Sequence, residues 1–333
     1  MKIAVVFDTL HPEWEDADYR EAIAGGNVEE AEYDVARALE ANGHEVSLVG
    51  VRDDVRRLVE RLAALAPALV FNCCEGFAGD ARHEYAVAAL LEMHGYHHTG
   101  SSPTGLLVAR NKSLSKKILA FHGIRVPDFA VFRPGDAFVR PSALRYPLIV
   151  KPLLEDASLG IAQASVVTDD EGFGERVTFI HDRFSQAAIA EELIDGRELY
   201  VSLLGNAELE LLPIVELHFG KLSKAERRIA TYKAKWDEGY RQRQGIRTGF
   251  ARRLSDAVQA RIRRVCETAF HALWLQDYGR IDLRLTHDHE VYVLEANPNP
   301  FLADEHELAL AAAKAGMRYP GLIQRIVDEA LAR

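Results

Sequence analysis

The clearest hydrophobic alternation in the chain lies between Arg280 and Asn297, where apolar residues recur at Ile281, Leu283 and Leu285 and again at Tyr292, Leu294 and Ala296. A period of two predicts two half-buried strands, with Asp288 and His289 as a two-residue turn between them. Cross-strand partners then keep a constant index sum, which sets Asp282 opposite Glu295 and Arg280 opposite Asn297, all four on one face. Two adjacent carboxylates repel unless a cation lies between them, and an all-oxygen set from Asp282, Glu295 and Asn297 suits Mg²⁺. A solvent-facing hairpin with its charges on the wet side has the same pattern, so alternation alone leaves both readings open.

Toward the N-terminus the pattern changes. Residues 2–7, 45–50, 68–72 and 96–99 read as short buried strands, separated by helical periodicity near 28–42, 53–66 and 82–95. Such β–α alternation implies a mainly parallel sheet with helices on its faces and ligands beyond the strand C-termini. Two loops are expected there: an acidic, irregular one from Asp8 to Asn27 and a glycine-bearing one from Asn72 to Arg82. The Gly100–Gly105 stretch reads as a boundary, followed by a lysine-rich helix around 111–122.

In the middle third, Tyr146–Pro152 reads as a buried strand ending in Lys151, whose ammonium requires an anionic partner. The turn from Leu153 to Ile161 offers backbone N–H groups that can cover phosphates. Glu191–Leu203 reads as strand, tight turn at Asp195-Gly196, and strand. Both a plain hairpin and a nucleotide edge with Glu198 on ribose hydroxyls fit that pattern. Residues 221–249 are charged, lack a strong apolar period and read as a long surface loop of the kind that forms lids. Helices are expected at 255–274 and 320–332.

At 333 residues the chain exceeds what one hydrophobic core usually supports, so two or three domains are expected. A net charge of -10 argues against nucleic-acid and anionic-membrane partners. Three cysteines, Cys73, Cys74 and Cys266, contain no CxxC pair, which excludes a disulfide framework or thiolate zinc site as the organising principle. His94, His97 and His98 lack acidic or thiol neighbours at ligand spacing and read as helix-end and strand residues. The opening Met1–Asp8 is a strand pattern rather than a signal peptide, and no apolar run approaches the roughly 18 residues of a membrane span, so a cytoplasmic location is expected.

Taken in order, Lys112, Lys151-Pro152, Ser158-Leu-Gly160, Glu191 through Glu198, Lys235, and Arg280-x-Asp282 with Glu295-x-Asn297 resemble the ATP-grasp superfamily, and within it the D-alanine–D-alanine ligases. The resemblance spans about residues 90–300; Walker A and GxGxxG patterns are missing from the sequence. It implies an α/β (α+β) ATP-grasp fold: a Rossmann-like parallel-sheet domain over residues 1–103, a central ATP-binding subdomain over 104–200 and a C-terminal α+β catalytic domain over 201–333. It also implies ATP and Mg²⁺, with Mn²⁺ as a substitute metal. Lys112, Lys151 and Ser158 would contact phosphates, Glu191 and the Leu193 backbone would face adenine, and Glu198 would bind ribose. Asp282, Glu295 and Asn297 would hold the metal, with Lys235 near the γ-phosphate and Arg280 near the reacting carboxyl-phosphate. Small-molecule carboxylate and amine substrates, and a homodimer, follow from the same resemblance.

The sequence departs from those ligases where they bind substrate. Phe7–Trp14 replaces their glycine- and serine-bearing opening motif, and Glu75–Asp80 matches their second loop only loosely. Their paired serines become Ala157-Ser158, their lid Lys-Tyr becomes Lys235-Trp236, and the stretch after the metal-binding asparagine reads Pro298-Asn-Pro-Phe-Leu-Ala. The expected activity is therefore ATP-dependent carboxylate–amine ligation through an acylphosphate, on a small amino acid or peptide other than two D-alanines. A D-alanine–D-alanine ligase and a non-catalytic nucleotide-binding regulator are the alternatives.

Overall fold

A computed structural model describes residues 1–10, 31–136, 138–220 and 227–333. Most of the acidic 8–27 loop therefore lies outside the described residues, as does the start of the predicted 221–249 loop. Strands β1 (Lys2–Asp8), β2 (Glu45–Val51) and β3 (Leu69–Asn72) form a parallel sheet in the order β2-β1-β3. Helices cover both faces because successive β1 side chains point to opposite sides. Ile3, Val5 and Phe7 pack toward α1 (Ala31–Ala41), whereas Ala4 and Val6 pack toward α2 (Val55–Leu65) and α3 (Glu84–Met93). The strand expected at 96–99 is reduced to a single parallel bridge between Val70 and His98.

Two further helices, α4 (Pro103–Arg110) and α5 (Lys112–Phe121), lead away from this sheet. The side chains of Ser102 and Asn111 accept from the first free N–H groups of each helix, which fixes the break between them. An antiparallel four-stranded sheet follows, in the order β4 (Phe129–Phe132), β7 (Ala188–Glu192), β5 (Leu148–Pro152), β6 (Val166–Val167), backed by α6 (Asp170–Phe184).

The largest sheet contains β8 (Arg197–Gly205), β9 (Leu209–Leu211), β10 (Val215–His218), β11 (Arg247–Phe250), β12 (Tyr278–Leu285) and β13 (Val291–Asn297), ordered β11-β10-β8-β12-β13 with β9 paired to β8. Leu199, Val201, Leu203, Ile281, Leu283 and Leu285 bury one face against α9 (Asp256–Ala272). Its opposite face meets α10 (Glu307–Lys314) and α11 (Tyr319–Ala332); α11 also packs on α1, so that Leu322, Ile323 and Ile326 share a core with Val35 and Leu39. One core thus joins the first and last parts of the chain. Among the described residues, no helix is long and apolar enough to cross a membrane.

Three local expectations are corrected. Residues 227–249 are not a bare loop: α7 (Tyr232–Trp236) and α8 (Glu238–Gln244) start at Thr231 and Asp237, whose side chains cap Ala234 and Tyr240, and β11 pairs with β10. β7 and β8 are not a hairpin, because they belong to different sheets. Gly196, with φ +154°, makes the crossing: a Cβ there would lie 2.4 Å from the Leu285 carbonyl oxygen.

The third correction concerns the 280–297 hairpin. Its turn is wider than two residues, with the His289 N–H donating to the Thr286 carbonyl and His289 left-handed at φ +66°. This shifts the register, so Val291 and Val293 are buried while Tyr292 and Leu294 are half-buried. An irregularity between Asp282 and Leu283 shifts it back, and Asp282 pairs with Glu295 and Arg280 with Asn297 after all.

Candidate active site

The cleft lies where the two antiparallel sheets face one another. Lys151, Glu191 and Leu193 come from the smaller sheet and its exit, Ser158 from the 153–161 turn, and Glu198, Asp282 and Glu295 from the larger sheet, around a space of about 590 Å³. Lys235 reaches it from α7 and also lines a second space of about 1450 Å³ with Arg280, Asn297, Glu84, Arg110, Trp236 and Phe301.

At the nucleotide end, Lys151 has the anionic partner its burial demands. Its Nζ lies 3.0 Å from one Glu191 oxygen, and Lys116 Nζ lies 3.4 Å from the other. Burial lowers the Lys116 ammonium to about 8, because Glu191 offsets only part of the desolvation and Lys151 repels it. Despite that neighbour, Glu191 Oε1 is buried without a hydrogen-bond donor, so an acceptor remains for an exocyclic amine. The Leu193 N–H, by contrast, is donated to the Pro147 carbonyl at 3.1 Å and is not free to read a purine edge.

Glu198 is more heavily engaged than its spacing suggested. Arg284 Nη2 donates to one oxygen at 2.5 Å and the Tyr200 hydroxyl donates to the other at 3.2 Å. A ribose hydroxyl would have to share these oxygens, each of which has a second lone pair. Lys112, buried at the start of α5, donates to the Glu155 carbonyl and lies 3.6 Å from Asp156 Oδ1, which ties it to the 153–161 turn. Ser158 sits in that turn at φ +60°.

Glu295 is the electrostatic centre. Burial pushes its carboxyl up, but Lys112, Lys235, Lys151 and Arg280 outweigh desolvation and hold it well below the usual carboxylate range. Asp282 goes the other way: desolvation, with the Glu295 charge added, raises it despite Arg280 and Lys235. The two carboxylates pair across β12 and β13, and their oxygens would suit a hard divalent cation. Asn297 adds a third oxygen, since its Nδ2 donates back to the Arg280 carbonyl at 3.4 Å.

Arg280 donates to both Asp282 oxygens at 2.7 and 3.1 Å, and its Nη1 reaches Glu307 at 3.4 Å. Tyr200, buried under this end, places its ring 5.2 Å from the Arg280 guanidinium and 5.5 Å from Lys235 Nζ. All eleven predicted residues therefore line the two adjoining spaces or, for Lys112, the turn between them. Lys116, Tyr200, Arg284 and Glu307 were missed. Of these, only Lys116 left a signal, one helical turn after Lys112 on the same face.

Residues 118–328 match the family model described as the D-ala D-ala ligase C-terminus. The "Uncharacterized protein y4sG" of Sinorhizobium fredii is 35% identical over 301 residues, covering 89% of this chain and 86% of that one. A D-alanine–D-alanine ligase of Desulforudis audaxviator is 30% identical over 297 residues, covering 88% and 90%. The crystal structure of the Bacillus anthracis D-alanine–D-alanine ligase complexed with ATP has the same fold, with a TM-score of 0.76 at 20% identity over 100% of this chain and 98% of that one.

Two antiparallel sheets closing on a lysine- and carboxylate-lined cleft, behind a parallel-sheet unit, define an ATP-grasp enzyme. The chain belongs to the D-alanine–D-alanine ligase family, and it is an ATP-grasp ligase of the kind that forms carbon–nitrogen bonds.

Proposed function

We propose that this ligase phosphorylates the carboxylate of a small amino acid or peptide with ATP and then joins the acylphosphate to an amine. The observation that carries the reading is that Lys151 and Lys235 line one space with Asp282 and Glu295, Arg280 pairs with Asp282 at 2.7 Å, and Lys112 is tied to the turn beside that space. Phosphoryl transfer needs positioning and neutralisation of spread negative charge more than covalent chemistry, and these four cations supply both. Asp282, Glu295 and Asn297 would hold Mg²⁺, which when bound would neutralise further phosphate charge. Lys151 and Lys112 hold the phosphates, Ser158 and its turn cover them, and the Glu191 acceptor takes the adenine amine.

At the reacting end, Lys235 faces the γ-phosphoryl group. The substrate carboxylate oxygen attacks its phosphorus as the bond to the ADP oxygen breaks. The amine then attacks the acyl carbon, phosphate leaves, and the amine proton is lost to solvent or phosphate. Arg280 stabilises the oxyanion of that second step, and Asp282 and Glu307 hold its guanidinium in place. The three-part division of the chain at residues 103 and 200, and a cytoplasmic location, belong to the same reading.

The D-alanine–D-alanine ligases among the relatives favour a second reading in which both substrates are D-alanine. Against it stands the altered acceptor wall, where Ala157, Trp236 and Phe301 occupy positions at which the resemblance breaks. An ADP-release assay over a panel of amino acids and dipeptides, with hydroxylamine present to capture acylphosphate as hydroxamate, separates these. Carboxylate-dependent ADP and hydroxamate with substrates other than D-alanine alone is the expected result. Stimulation by D-alanine alone supports the second reading, and ATP binding without turnover on any carboxylate refutes both.

A further inference from the structure

Trp236 ends α7 at the wall of the larger space and keeps 41% of its surface exposed, yet its indole is fixed on two sides. Nε1–H donates to the Ala157 carbonyl at 3.0 Å, on the 153–161 turn. The ring meets His306 at 5.6 Å and Phe301 at 6.4 Å between centroids, and those two contact each other edge-to-face at 4.7 Å. At the other end of α7, the Tyr232 N–H donates to the Ile161 carbonyl at 3.1 Å. The turn is thus bonded to α7 at both its ends.

That turn needs outside support. Ala157 and Ser158 are left-handed at φ +52° and +60°, a conformation non-glycine residues hold only when their surroundings impose it. An indole N–H is a donor and nothing else, so it suits a backbone carbonyl whatever side chain the turn carries, including the alanine found here. Lys235, the residue before Trp236, faces both spaces, so fixing Trp236 also fixes the lysine at the reacting end.

We propose that Trp236 is a positioning residue: it latches the 153–161 turn to the Phe301–His306 wall, seats Lys235 between the nucleotide and acceptor spaces, and keeps water from the acylphosphate. The water-exclusion part rests on the ligase reading; the latch itself does not. Without the latch, water attacks the acyl carbon and releases phosphate and the original carboxylate, so ATP is consumed with no new bond.

Two variants separate the contacts. Trp236→Phe removes the N–H and keeps a ring, whereas Trp236→Gln keeps a donor and removes the ring. Amide hydrogen exchange in the full chain with Mg²⁺ and a non-hydrolysable ATP analogue reads the latch directly, with the β12 and β13 amides as a control for folding. In Trp236→Phe the Leu159, Ile161 and Tyr232 amides are expected to exchange roughly fivefold faster, the equivalent of one ordinary hydrogen bond, with β12 and β13 unchanged. Trp236→Gln is expected to retain part of that protection. With the best carboxylate of the panel and hydroxylamine, Trp236→Phe should release several-fold more ADP per hydroxamate than the parent chain, a ratio that a general loss of stability does not change. Unchanged exchange at all three amides overturns the latch, and faster exchange with an unchanged ratio overturns its role against water. If no carboxylate gives hydroxamate in the parent chain, the ligase reading fails, and the exchange experiment still decides the latch.

Discussion

Asp282 and Glu295 face each other across β12 and β13 with opposite shifts in acidity, and Arg280 spans both Asp282 oxygens. If these carboxylates hold the metal, Asp282→Asn and Glu295→Gln remove one anionic ligand each with little change of shape. Both variants should lose essentially all ADP release, and excess Mg²⁺ should not restore the parent rate; full turnover in either sinks the metal assignment. Arg280 is assigned to the acyl-transfer end, so Arg280→Ala should lower kcat by about 10²–10³-fold and leave the KM for ATP within about twofold. A change confined to the ATP KM would place its role at the nucleotide instead. The alternation around Asp282 made this pair legible from sequence. Tyr200, Arg284 and Glu307 were not, because each acts through a contact set by the fold: Tyr200 under Arg280, Arg284 on Glu198, Glu307 on Arg280.

Among the elements, the hairpin of β12 and β13 reached its expected pairing by a route the sequence did not reveal. Alternation cannot register an irregularity that inserts one residue and exchanges the faces of everything beyond it. Tyr292 and Leu294 therefore looked inward on paper, although Val291 and Val293 fill the core. Likewise, β7 and β8 resembled a hairpin because a tight turn and a crossing between sheets use the same Asp-Gly chemistry. The cleft exists because this segment crosses. The 153–161 turn offers a test at this scale: Gly160 has φ +72°, and a Cβ there would lie 2.8 Å from Phe184 and Pro152 carbons. Gly160→Ala should displace the turn and weaken ATP binding by roughly fivefold, at about 1 kcal/mol of left-handed strain, measured by nucleotide titration. An unchanged affinity would detach the turn from the phosphates.

The start of β12 is anchored by Asp277, which accepts from the Gly100 N–H at 2.8 Å and from Asn206 Nδ2 at 3.1 Å, and pairs with Arg333. Burial raises this carboxyl from 3.8 to about 6, against the pull of Arg333 and Asn206. The folded state therefore binds more protons than the unfolded state between those values. Stability from this group is complete below about pH 4 and is lost as pH rises through about 6, by roughly 2–3 kcal/mol. Denaturant midpoints of the parent chain and Asp277→Asn should therefore shift in the variant's favour from pH 4 to pH 7. A gap between them that stays constant over that range would contradict the assignment.

Over the whole molecule, the parallel sheet and its helices were read from β–α alternation, and the later sheets from strand patterns and the family resemblance together. The packing of α11 on α1, which closes the chain's end over its beginning, left no local trace because it joins residues far apart in sequence. What the enzyme acts on is likewise a property of the assembled cavity. Lys235, Arg280 and Asn297 line the larger space together with Trp236, Phe301 and His306, whose rings contact one another.

The central claim is that a carboxylate oxygen attacks the γ-phosphorus. Oxygen labelling tests it most directly: the carboxylate giving the most ADP in the panel is prepared with ¹⁸O in its carboxyl group and turned over with Mg-ATP and its amine partner. Transfer of one labelled oxygen into inorganic phosphate at each turnover is the predicted result. Product formed at the same rate with no label in the phosphate would contradict the account.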